Sequence, residues 1–317
     1  MATSLYVSPS DVQLLMPLGV NWKSLGGPNP TPNLNAMAIL EACKTATRQV
    51  NSECGQSLQT AVRTESVMAP GHRCGILPDG TARFIASFSP IMAVLLAEVA
   101  YTWPSGNPAV YNYRTLNPGQ AFPEYTAPSD DWQSAAPGTA APGQNAILIT
   151  GGAVNWCNGR MGERVQMFYL NGWPNSQLTA EATSGTSTLT VDDVTGWAGV
   201  AGELYDGERS EGVFVKSVTA ANSKAGTPVG PGTLMLQAPL VNTHTPSVTS
   251  PLLVSAMPHG VRWAAGLFSK AVALRQGATV VSAPGGKTQS SSGSTGAIED
   301  ALHEAALSLG TYRRTSF

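Results

Sequence analysis

Charge is scarce in this chain: 12 % of its 317 residues are Asp, Glu, Lys or Arg, about half of what soluble globular chains carry. No run of Lys or Arg occurs and the net charge is −2. A dedicated nucleic-acid binder neutralises phosphates with clustered cations, so that class is excluded. Long apolar runs are missing too. The longest, Ile91 to Ala100, is interrupted by Glu98 and falls short of the roughly 20 residues a bilayer requires. The first residues, Met1 to Tyr6, hold neither a basic region nor an apolar stretch, so neither a secretory signal nor a membrane span is expected. Cysteine is limited to Cys43, Cys54, Cys74 and Cys157, with no Cys-x-x-Cys pair and no His at ligand spacing. This removes the usual zinc pattern and points to free, buried thiols in a chain made in a reducing cytoplasm.

In place of charge there are 33 Gly, 23 Pro and many Ser, Thr, Asn and Gln. Such a neutral surface needs little ion desolvation when it packs, which favours a chain walled in by neighbours and prone to self-assembly. The apolar share of 42 % is ordinary, and the length allows roughly two domains.

Ser8-Pro9-Ser10-Asp11 caps a short helix that Pro17 stops. Ile39, Cys43, Ala46, Val50 and Cys54 recur at helical spacing within Leu34 to Cys54, and Gly55 stands where a left-handed cap is wanted. From Leu58 the pattern turns to strands and a hairpin, with breaks at Pro70-Gly71 and Pro78-Asp79-Gly80. Ile91 to Ala100 fits either a buried strand or two helical turns. Residues 103 to 145 read as an extended arm pinned by Tyr111, Tyr113, Phe122, Tyr125 and Trp132. Strands return at Ala146 to Thr150 and Arg164 to Leu170. Gln177 to Met257 is nearly all β, with alternation in Thr188 to Val191, Gly212 to Val218 and Thr233 to Leu236. Helical periodicity resumes after Pro258 through Val261, Ala264, Ala265, Phe268 and Val272, ending at Gly277. Ser290 to Gly296 reads as a flexible link, and Ile298, Leu302, Ala305, Ala306 and Leu309 mark a closing amphipathic helix. The fold class is therefore α+β: a small helical core with β hairpins, an inserted antiparallel β sandwich or barrel, and a C-terminal amphipathic helix. The expected parts are 1–170 with the arm 103–145, the β module 171–257, and the helices of 258–317.

Reactive chemistry is thin. His72, His244, His259 and His303 are the only histidines, and each reads as a surface or capping residue. Pro284-Gly285-Gly286-Lys287-Thr288 resembles the end of a phosphate loop, but Val281 stands where its first glycine belongs, and a Ser/Gly stretch follows instead of a helix. Asp192, Asp193, Asp206, Glu208 and Glu211 lack the spacing of a calcium loop and read as turn residues. No catalytic residue, metal or cofactor is expected. Gln177 to Met257 holds seven acids and three bases, a balance of −4, whereas His259 to Phe317 holds six bases and three acids, +3. Different partners for the two segments would account for this asymmetry. The last helix suits docking into a groove on another subunit, so the expected interface residues are Leu302, Ala306, Leu309, Tyr312, Arg313 and Arg314.

Three stretches carry a resemblance. They are Tyr6-Val7-Ser8 with its short helix, the helix Leu34 to Cys54 and the β start near Leu58; Thr188 to Trp197 with Tyr205-Asp206-Gly207-Glu208 and Val213 to Val218; and Val261-Arg262-Trp263-Ala264-Ala265 with the closing Tyr312-Arg313-Arg314. In this order they resemble the head-to-tail adaptors of tailed bacteriophages, particularly the long versions in viruses of actinobacteria. The resemblance implies a non-enzymatic virion subunit. It would form a homo-oligomeric ring, typically of twelve copies, bound to the portal protein above and to a stopper or tail-terminator protein below, with DNA passing through the lumen. The alternative expectation is a β-rich adhesion or carbohydrate-binding virion protein, based on 177–257 and on Trp173 and Trp197 as exposed aromatics. A hydrolase using His259 or His72 is a third.

Overall fold

The computed structural model describes residues 5–15, 20–25, 31–69, 71–101, 112–124, 145–150, 163–207, 209–276 and 291–314. The first helix, α1 (Pro9–Leu15), opens on a reciprocal cap: Ser8 Oγ accepts the Asp11 N–H at 3.2 Å, and the Asp11 carboxylate accepts the Ser8 N–H at 3.2 Å. Helix α2 (Pro32–Cys54) begins with Thr31 Oγ1 accepting the Leu34 N–H and with Pro32 in the first turn. It ends at Gly55, whose φ of 64° lets its N–H reach back to the carbonyls of Asn51 and Ser52. All five residues of the periodic face are buried. Pro17, expected to stop α1, lies outside the described residues.

Strands β1 (Ala61–Ala69), β2 (Cys74–Ile76), β3 (Ala82–Ile85), β4 (Ile91–Tyr101), β5 (Asn112–Thr115), β6 (Ala121–Pro123), β7 (Ala146–Ile149) and β8 (Glu163–Asn171) form two antiparallel four-stranded sheets. Their orders are β1-β8-β4-β5 and β2-β3-β7-β6. The sheets share one core, containing Phe84, Ile91, Val99, Ile147, Ile149, Val165 and Tyr169. The open question over 91–100 resolves as a strand. The described part of the expected arm is not a free extension, because Asn112–Thr115 pairs with β4 and Ala121–Pro123 pairs with β7. Tyr111, Tyr125 and Trp132 lie outside the described residues.

A carboxylate ties this pair of sheets together. Glu65 of β1 receives hydrogen bonds from the Arg73 guanidinium, the Tyr169 hydroxyl, and the Ser87 N–H and hydroxyl at 2.9 Å each. Burial alone would raise its pKa, but the bonds from Arg73, Tyr169 and Ser87 outweigh burial and hold the carboxyl below its ordinary value. A depressed carboxyl stabilises the fold above its unfolded pKa of about 4.3, and the contribution disappears as pH falls through the lower folded value. The melting temperature should therefore drop on acidification below about pH 4. In Glu65→Gln, thermal melts across that range should show a shallower acid limb. A limb of unchanged slope would remove Glu65 from the account.

Strands β9 (Asn175–Gln177), β10 (Thr188–Val191), β11 (Val200–Tyr205), β12 (Glu211–Lys224), β13 (Thr227–Leu236) and β14 (Leu253–Ser255) make one six-stranded antiparallel sheet in the order β10-β13-β12-β11-β14-β9. Its ends meet through the Leu178–Val191 bridge and the bonds from Thr179 N–H to the Thr190 carbonyl and Asp192 N–H to the Gln177 carbonyl. The sheet is thus nearly closed into a barrel, which protects its edge strands. Trp197 fills the interior and donates through Nε1 to Ser176 Oγ at 2.8 Å. Only a glycine fits beside that ring, since a Cβ on Gly202 would stand 2.7 Å from it.

The remaining helices are α3 (His259–Arg275) and α4 (Ser291–Ser308). Val261, Ala264, Ala265 and Phe268 of α3 are buried as the periodicity requires, whereas Gly277 lies outside the described residues. Helix α4 starts at Ser291, so Ser291 to Gly296 form its opening turns instead of the expected link. It runs antiparallel to α3, with Trp263 Nε1 donating to Glu304 at 3.0 Å and Gly260 beside Tyr312. Helices from both chain ends share one core: Tyr6, Val12, Ile39, Val50, Leu58, Phe268, Ala305 and Leu309 all belong to it. The barrel has its own core around Trp197. The fold is α+β, with the β strands placed in sequence between the two halves of a helical layer.

Candidate functional site

The expected interface residues fall at the end of α4 and the short 3-10 turn after it (Gly310–Tyr312). Leu309 is buried against the helical core of its own chain, Leu302, Ala306 and Tyr312 are half-buried, and Arg313 and Arg314 are exposed. The apolar stripe of α4 is therefore occupied within the chain by α3. The residues after it are also engaged. Tyr312 packs edge-on against Trp173 at 5.5 Å, and its carbonyl accepts from Gln56 Nε2. Arg313 pairs with Glu53 at 3.3 Å, and the Arg314 N–H donates to the Cys54 carbonyl. The Arg314 guanidinium sits 4.9 Å from the Phe88 ring centroid, and Arg63 stacks on the same ring at 4.1 Å. These contacts clasp the C-terminal segment onto the end of α2. What α4 leaves free is its outer ridge, not the apolar side expected to dock.

Two buried polar clusters were invisible in the sequence. His244 is not a surface residue: its ring is fully buried, with Nδ1 2.9 Å from Asp206 Oδ2 and Nε2 3.8 Å from Glu211 Oε2. Nε2 has no hydrogen-bond partner among the described residues. Glu211 also accepts the N–H groups of Val241 and Asn242 and the Asn242 side chain, so the cluster pins the segment after β13 to the start of β12. Asp206 and Glu211 are thus clamp residues as well as strand ends. They approach opposite sides of the imidazole and do not converge on a common point. Among the described residues no group of three or more His, Cys, Asp or Glu is placed to hold a metal ion. Asp193 does serve a turn, its Oδ1 accepting the N–H groups of Thr195 and Gly230. Glu208 lies outside the described residues.

The second cluster joins the helical layer to the barrel. Arg262 of α3 reaches Asp11 Oδ2 of α1 at 3.3 Å, and its guanidinium lies 3.1 Å from the centroid of the Tyr205 ring. Both partners of the ion pair are buried. Because Asp11 also caps α1, one carboxylate serves the helix start and the inter-module contact together.

The other candidates take no part in the hydrogen bonds and ion pairs of these two clusters. His72, His259 and His303 are exposed, and His259 stacks on Trp263 at the start of α3. Trp173 and Trp197, taken as exposed aromatics in the carbohydrate-binding reading, are buried at 3 % and 0 % exposure. Each is a packing residue, Trp173 in the helical core and Trp197 in the barrel. Cys43, Cys54 and Cys74 are buried, and burial pushes the Cys43 and Cys54 thiols up to about 12. Cys157 and the stretch Pro284 to Thr288 lie outside the described residues. No described helix is long and apolar enough to cross a membrane. Comparison with family models, curated proteins and solved structures finds no match to this chain.

Proposed function

We propose that this chain is a non-enzymatic structural subunit of a phage head-to-tail connector: a ring that joins the portal to a stopper or tail-terminator protein and lets DNA pass through its lumen. The observation that carries the reading is the element order. A short capped helix and a long helix open the chain, β modules occupy the middle, and two helices close it, with the helices of both ends sharing one core. This is the order in which the sequence resembles the adaptor family. The sparse charge supports the same reading, because a neutral surface is cheap to desolvate against many neighbours. DNA passage needs no base-reading site, and the net charge of −2 suits a lumen that does not grip phosphates.

The test mixes purified chain with the portal of the phage that encodes it and images the product by negative stain. Added density in a closed ring on one face of the portal is expected, together with the chain's presence at the head-tail vertex of intact particles by gold labelling. Binding to neither portal nor particle would overturn the proposal.

A further inference from the structure

Helix α3 packs against α2 on one side and α4 on the other, and twelve of its residues are buried, from Val261 to Leu274. The two flanking helices therefore form the edges of one layer. Each edge keeps an exposed ridge. On α4 the ridge runs through Glu299, Asp300, Glu304 and Leu307, and Leu307 is 68 % exposed. On α2 it runs through Leu34, Met37, Glu41 and Arg48, with Leu34 and Met37 more than half exposed. Beside α2 lies an open groove of about 580 Å³ between Leu40, Lys44 and Arg48 of the helix and Leu178 and Val248 of the barrel. Leu34, Met37 and Leu307 thus leave open apolar side chains at the two edges of the layer.

The ridges are opposite in charge. Glu41 is neutralised by Lys44 at 2.6 Å, which leaves Arg48 as the surplus cation of α2. The three carboxylates of α4 have no ion-pair partner among the described residues. We infer that the α4 ridge of one copy docks along the α2 edge of the next, with Leu307 entering the groove and the α4 carboxylates facing Arg48. Since the two surfaces are different, the contact is head-to-tail and extends the helical layer from copy to copy, the kind of contact that generates a ring when its rotation closes. The inference rests on the connector reading and adds which surfaces join the copies.

Native mass spectrometry of the full chain tests it without the portal. The wild-type chain should populate oligomers. Leu307→Asp should weaken association by roughly tenfold or more, while far-UV circular dichroism stays unchanged because the side chain is exposed. Arg48→Glu alone, or Glu299→Lys with Asp300→Lys, should also shift the chain toward monomer. Combining all three substitutions reverses both partners at two of the three carboxylate positions, with Glu304 kept for its bond to Trp263, and should restore assembly. A wild-type chain that stays monomeric, oligomers indifferent to Leu307→Asp, or a combined variant that fails to reassemble would overturn the contact. Portal binding, imaged separately, reports whether the connector reading fails with it.

Discussion

Arg262→Ala should lower the free energy of unfolding by about 3–5 kcal/mol, the cost of leaving a buried charge without its partner. Asp11 would remain in place at 3 % side-chain exposure with its cation gone, and the Tyr205 ring would lose the guanidinium that covers it. Native domains hold only about 5–15 kcal/mol in total, so the variant should sit near the edge of folding. Urea denaturation at neutral pH measures the loss. The same burial fixes the behaviour of a double variant. Arg262→Met with Asp11→Leu removes both charges and keeps apolar volume, so it should recover a large part of the deficit even though the α1 cap is lost. A single variant that loses less than about 1 kcal/mol would resemble an exposed pair and would contradict the burial on which the argument stands.

The sequence revealed some of these elements and concealed others for physical reasons that can be named. Ile39, Cys43, Ala46, Val50 and Cys54 announced α2 because one face of a long helix meets one core, and the period survives intact. Strand β4 was ambiguous because its ladder with β8 shifts register between Ile91 and Ala93 and again between Val94 and Leu96. Each shift moves later side chains to the other face, so alternation is erased in the string though the strand is continuous. Ser291 to Gly296 read as a link because Ser and Gly are weak helix formers, yet the turns continue into a helix packed on α3. Packing of the helix from Ala297 onward outweighs the weak propensity of its opening turns.

The polar clusters were illegible for a different reason. His244 lies 38 residues from Asp206, and Asp11 and Arg262 come from opposite ends of the chain, so no local spacing could pair them. A histidine flanked by Thr243 and Thr245 carries no sign that barrel closure will bury it. The same holds for Trp173 and Trp197. An aromatic beside glycine in a turn reads as exposed until the sheet closes over it, and Gly202, tight against the Trp197 ring, is a trace of that closure. Local signals thus marked the elements, while the contacts that join one module to another depend on topology alone.

The junction between modules should also be a sensitive backbone site. Gly172 links β8 to β9 with φ of 80°, a conformation L side chains rarely adopt, and a Cβ there would stand 2.6 Å from the Leu58 carbonyl oxygen and 2.7 Å from that of Gln59. Those carbonyls cannot simply retreat. The Leu58 oxygen accepts the Trp173 N–H at 2.8 Å, the Trp173 oxygen accepts the Thr60 N–H at 3.0 Å, and the Gly172 N–H donates to the Pro90 carbonyl at 2.9 Å. Gly172→Ala therefore combines two penalties: backbone strain of about 1–3 kcal/mol, and the loss or stretching of hydrogen bonds where helices, sheets and barrel meet. Gly185→Ala separates them, because Gly185 has φ of 85° but open space where its Cβ would go. Thermal and urea unfolding of the two variants should place Gly172→Ala clearly below Gly185→Ala, with protease cleavage appearing first near the junction. Equal losses would mean that the close approach at residue 172 contributes nothing beyond its dihedral angle, and the junction would not be the rigid point these bonds describe.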